Sequence, residues 1–105
     1  MIKLKSGQTA AGIKEFYFLY LDNWDDFDSV GNALQDIGVT FLEKIDGIFF
    51  RIANLEFESH RFQIIYHEDV GVYSLLMEEQ SDVSNDWLAQ ILEKTITILL
   101  QKESS

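Results

Sequence analysis

The 105-residue sequence contains no cysteine and no proline. The first absence excludes disulfides, thiolate metal sites and a thiol nucleophile. The second removes the commonest interruption of strands and helices, which suits one uninterrupted domain over residues 1–105. Cations are scarce: eight Lys and Arg stand against eighteen Asp and Glu, for a net charge of −10. Long apolar runs are missing too. A membrane-spanning helix needs about 20 apolar residues, and the densest run, 16–21, is strand-length. The opening MIKLKSGQTAAGIKEF has no continuous apolar segment before its small residues, so no signal peptide is expected and the expected location is cytoplasmic. GxxxxGK[ST], GxGxxG, HExxH and GxSxG do not occur, which removes the familiar phosphate, zinc and esterase signatures.

What is present is a core-forming composition. Hydrophobic residues make up 47% and aromatics 13% of the chain, too much for a disordered segment despite the charge. A chain of this length buries roughly two-thirds of its unfolded surface. Residues 39–80 are rich in β-branched and aromatic types and carry turn-formers such as Asp46-Gly47. They read as a four-stranded meander. Residues 14–21, KEFYFLYL, are apolar on both faces and read as an interior strand covered on each side. Ile2-Lys-Leu-Lys alternates as a short strand or a frayed end does. The fold class expected is therefore α+β, an antiparallel sheet of about five strands in the order β(β)αββββα.

The period changes at Asn23. Trp24, Phe27, Val30, Leu34 and Ile37 recur at helical spacing over about 23–37. Asn23 is placed to cap that helix and Gly38 to end it, while Gly31 in its interior costs about 1 kcal/mol against alanine. A second helix is expected over about 84–101, with Ser84 as its cap and a wide apolar stripe. Ile96 and Leu100 widen that stripe beyond one sheet face, which raises the possibility of a homodimer. Within the meander, Ile48-Phe49-Phe50 is apolar on both faces, whereas Asn54, Glu56 and Glu58 share a solvated one.

Charge is the strongest functional signal. Between residues 22 and 86 fifteen acids face only Lys44, Arg51 and Arg61. Such a field repels nucleic acid and anionic lipid, and it accelerates encounter with a cationic protein. It also serves solubility alone. Asp22, Asp25, Asp26 and Asp28 surround Trp24; helix-cap chemistry accounts for Asp25 and Asp26, and Trp24 is read as core.

Candidates for catalysis are few. His60 and His67 are expected at opposite ends of one strand, too far apart to share a metal. Glu58-Ser59-His60 offers carboxylate, hydroxyl and imidazole, but adjacent turn residues rarely point at one another as a triad requires. Glu56 and Glu58 invite comparison with a paired-carboxylate hydrolase. His67-Glu68-Asp69 lacks the ligand spacing of a calcium loop. No catalytic residue, metal ligand or cofactor is assigned.

A chain of about a hundred residues, strongly acidic and cysteine-free, with a sheet and two helices, resembles small bacterial immunity proteins, including those of contact-dependent growth inhibition systems. The resemblance implies a non-enzymatic inhibitor whose acidic surface covers the basic active site of a toxin domain, often a nuclease. The residues it would use are Asp22, Trp24, Asp25, Asp26, Asp28, Glu56, Glu58, Glu68, Asp69, Glu78 and Glu79, gathered on one patch. Type III secretion chaperones share the size and acidity, but they usually begin with a helix, where this chain begins with strands.

Overall fold

Side-chain alternation along each strand decides how the chain layers. In a computed structural model describing residues 2–104, the elements are β1 (Lys3–Gln8), β2 (Lys14–Leu19), α1 (Trp24–Ile37), β3 (Thr40–Asp46), β4 (Phe50–Phe57), β5 (His60–His67), β6 (Gly71–Leu76) and α2 (Asp82–Ser104). The fold is α+β, with six strands rather than five. The first segment is a full strand, paired with β2 from Lys3 opposite Leu19 to Gln8 opposite Lys14. Sheet order is β1-β2-β6-β5-β4-β3 and every neighbouring pair is antiparallel.

One face of the sheet is inward. Phe16 and Phe18, Ala53 and Leu55, Phe62 and Ile64, and Val72 and Leu76 alternate onto it and are buried with Val30, Leu34, Leu88 and Leu92 from the helices. Period 2 on the strands and period 3.6 on the helices thus meet in one core. Ile96 is buried and Leu100 packs against the core, so the surplus apolar edge expected of the second helix is absorbed within the chain.

Local chemistry sets the helix ends. Asn23 Oδ1 accepts from the Asp26 backbone N–H at 3.0 Å, and Asp26 Oδ2 accepts from the Asn23 N–H at 3.2 Å, a reciprocal capping box. Gly38 closes α1 at φ 109°, a left-handed conformation glycine adopts without strain. Gly31 has a packing reason: a Cβ there would lie 3.3 Å from the Phe41 ring. α2 starts earlier than its sequence suggests. Ser81, not Ser84, is its cap, since Ser81 Oγ accepts from the Ser84 N–H at 3.1 Å and Ser84 Oγ accepts from the Ser81 N–H at 2.9 Å.

Two expectations about the sheet are corrected. Strand β2 is interior to the sheet but covered on one face only; Tyr17 and Leu19 point to the side without helices and lie outside the core cluster. Ile48 and Phe49 belong to the β3–β4 turn, 85% and 59% exposed, rather than to a strand covered on both sides. The Gly47 N–H donates to the Phe50 carbonyl across that turn. Among the described residues no helix is long and apolar enough to cross a membrane.

Candidate functional site

The strand directions fix where each acid falls. β2, β3 and β5 finish, and β4 and β6 begin, at the end of the sheet where α1 starts; call this the near end. The far end carries the β4–β5 turn and the start of α2. Seven residue steps of β5 separate the two ends, about 23 Å at the usual rise. The acids expected on one patch are parted accordingly. Asp22, Trp24, Asp25, Asp26, Asp28, Glu68 and Asp69 lie at the near end. Glu56, Glu58, Glu78 and Glu79 lie at the far end.

The far end is largely satisfied from within. Glu56 is bonded by Arg61 Nε at 3.0 Å on the sheet's outer face. Glu58 and Ser59 form a two-residue hairpin turn, both left-handed at φ 51° and 68°. That turn sends Glu58 to the other side, where it accepts from Trp87 Nε1 at 3.0 Å. The two carboxylates expected on one strand face therefore do not pair. Glu78 Oε1 accepts from the Arg61 backbone N–H at 2.9 Å and lies 3.2 Å from His60 Nδ1. The His60 ring stacks on Trp87 with centroids 4.3 Å apart. Ser59, His60 and Glu58 thus make no relay; His60 turns to Glu78 and Trp87 instead. His60 and His67 bound β5 at opposite ends, and no group of three metal-ligating side chains converges among the described residues.

The near end is built differently. Its loops 20–23, 47–49 and 68–70 lie side by side in the order the sheet dictates. The Glu68 N–H donates to the Phe49 carbonyl at 3.0 Å, and the Val72 N–H to the Leu21 carbonyl at 3.0 Å. Gly71 permits the second contact, because a Cβ at its φ of 92° would lie 2.8 Å from the Leu21 oxygen. Exposed large side chains crowd these loops: Tyr20 72%, Val70 52% and Trp24 39%, beside Ile48 and Phe49. Asp22, Asp25, Glu68 and Asp69 stand exposed around them and make no ion pair among the described residues. Tyr20 also holds a left-handed φ of 72°, a strain of roughly 1–2 kcal/mol for a residue with a Cβ. A groove of about 440 Å³ runs beside it, lined by Lys5, Leu19, Tyr20, Asp22 and Val70 among others.

Arg51 clamps this end. Its side chain is 11% exposed on the inner face of β4, with Nη1 3.0 Å from Asp28 Oδ1 and Nε 3.1 Å from Asp46 Oδ1. The Asp28 contact is electrostatic rather than a directed hydrogen bond, because Nη1 finds no hydrogen-bond partner. The guanidinium carbon lies 4.7 Å from the ring centroids of both Trp24 and Phe27. Burial alone would lower the guanidinium pKa; the two carboxylates outweigh it and raise it. Trp24 in turn meets Tyr66 edge-on at 5.8 Å. It is neither a core residue nor a free anchor, but a half-exposed ring held in place by a cation.

Sequence reasoning missed Tyr20, Ile48, Phe49 and Val70 as surface residues. The one signal for them was the density of turn-formers and acids beside each. No protein-family model, curated protein sequence or solved structure matches this chain.

Proposed function

We propose that this chain is a non-enzymatic inhibitor of the immunity type, acting in the bacterial cytoplasm on a basic toxin domain of the nuclease kind. Its binding surface is the near end of the sheet. One observation carries the reading: three neighbouring loops and the first residue of α1 expose Tyr20, Trp24, Ile48, Phe49 and Val70 beside the open carboxylates Asp22, Asp25, Glu68 and Asp69. Protein interfaces use that composition, with large aromatic and apolar anchors next to charge. A monomer has no folding reason to expose so many large apolar groups together. The carboxylates favour a cationic partner and oppose phosphate. Three of the four far-end acids, Glu56, Glu58 and Glu78, are occupied with Arg61, Trp87 and His60, whereas Asp22, Asp25, Glu68 and Asp69 stand open. We therefore place the surface at the near end rather than on the single patch suggested by the linear sequence.

The test is the kinetics of association with the basic protein that co-purifies with the chain. The on-rate is expected to fall roughly tenfold or more between about 0.05 M and 0.5 M salt. Glu68→Lys with Asp69→Lys should slow it further at low salt. An on-rate indifferent to both would refute the reading.

A further inference from the structure

The side of the sheet turned away from the helices is the second unexplained surface. The register aligns one row across five strands: Tyr17 opposite Tyr73, Tyr73 opposite Ile65, Ile65 opposite Ile52, and Ile52 opposite Ile45. Tyr17 and Tyr73 stack with centroids 5.5 Å apart. Leu19 and Leu75 extend the same face. No element among the described residues packs over it.

Its charge distinguishes it from the rest of the molecule. The ionised side chains that alternate onto this face are Lys3, Lys5 and Arg61 against Glu15, Glu43 and Glu56. They sum to zero in a chain of net −10. A cationic partner finds no preference here, and a second acidic copy meets no repulsion from this face itself. The charges are also sorted: both lysines lie on edge strand β1, and Glu43 lies on the opposite edge strand β3. None of these three makes an ion pair among the described residues.

We infer that this face is a homodimer interface in which two copies pack sheet to sheet about a twofold axis running nearly along the strands. Such an axis reverses the order of strands and keeps position along them, so β1 of one copy lies over β3 of the other. Lys5 then lies over the partner's Ile45, two residues from Glu43 and within a lysine's reach of it. The contact is isologous, each surface being its own complement, and the sheets cross at the angle their twist imposes. Six strands spaced about 4.8 Å apart and about 23 Å long present roughly 550 Å² per copy. The total of roughly 1,100 Å² lies near the lower edge of specific interfaces. The near end is left uncovered, so the dimer presents two copies of the proposed inhibitor surface.

The full chain should sediment as a dimer at roughly 100 µM and show dissociation on dilution. Ile65→Asp, in the centre of the row, should give a monomer with an unchanged far-ultraviolet spectrum. Lys5→Glu should weaken the dimer by roughly tenfold, and adding Glu43→Lys should recover it, as expected for a charge-complementary rim. Because the chain has no cysteine, Ile65→Cys alone should be joined to its mate by a short bifunctional thiol crosslinker, the two sheets lying about 10 Å apart. A wild-type monomer at that concentration overturns the inference, as does a dimer untouched by Ile65→Asp. Failure of Glu43→Lys to rescue Lys5→Glu overturns the strand pairing assigned here.

Discussion

Replacing Arg51 by methionine should destabilise the fold by about 1–2 kcal/mol, and the structure supplies each contribution. The guanidinium loses two ion pairs, but Asp28 and Asp46 are 52% and 58% exposed. They rehydrate when the cation goes, so each pair counts nearer the surface value of about 1 kcal/mol than the buried one. The two ring contacts add about 1 kcal/mol together. Against this, about 1–2 kcal/mol of guanidinium desolvation is recovered. Methionine keeps the apolar stem; alanine also loses two methylenes at about 0.8 kcal/mol each, for a total of about 3 kcal/mol. Urea unfolding followed by tryptophan fluorescence reads both values, with the slope m unchanged. The methionine deficit should shrink at about 1 M salt, because both carboxylates are half in solvent. A methionine variant as stable as the parent would contradict this, since the ion pairs would then merely offset desolvation.

Three further outcomes are expected. Ser59→Gly should stabilise the chain by about 0.5–1 kcal/mol in the same assay, because glycine accepts the left-handed φ that Ser59 adopts under strain. Tyr20→Gly should leave stability equal or raised by up to about 1 kcal/mol while weakening partner binding, since one residue carries both backbone strain and exposed ring. Alkaline stability follows from Tyr17, whose hydroxyl donates to Glu15 Oε1 and whose pKa is pushed up to about 12, first by that hydrogen bond and then by burial. An unfolded tyrosine ionises near pH 10. This contribution is therefore complete below about pH 10 and is lost as pH rises from there to about 12, a fall that Tyr17→Phe should lessen.

The elements were legible where local chemistry determines them. Asn23, Asp26 and Gly38 write both ends of α1 into the sequence, and Asp46-Gly47 marks the β3–β4 turn. Its extension through Ile48 and Phe49 did not show, because two exposed apolar residues look like the start of a strand. The outer face was misread for a related reason: KEFYFLYL has the same pattern whether its second side meets a helix or another molecule. Placement of the acids was the least legible feature. Asp69 and Glu78 stand nine positions apart yet lie at opposite ends of β6, and the left-handed turn at Glu58 puts it across the sheet from Glu56. Only the register decides such positions, and register depends on long-range pairing.

The near end is the surface proposed to meet a basic protein. The most direct measurement places a photo-activated crosslinking side chain at Phe49, in the β3–β4 turn at that end, and in a separate variant at Glu79, at the far end. Both are irradiated in cells, and the captured protein is identified by mass. Capture of one strongly basic domain from position 49 and not from 79 is the result predicted. Capture of an acidic or neutral protein from position 49, or equal capture from both positions, would contradict it.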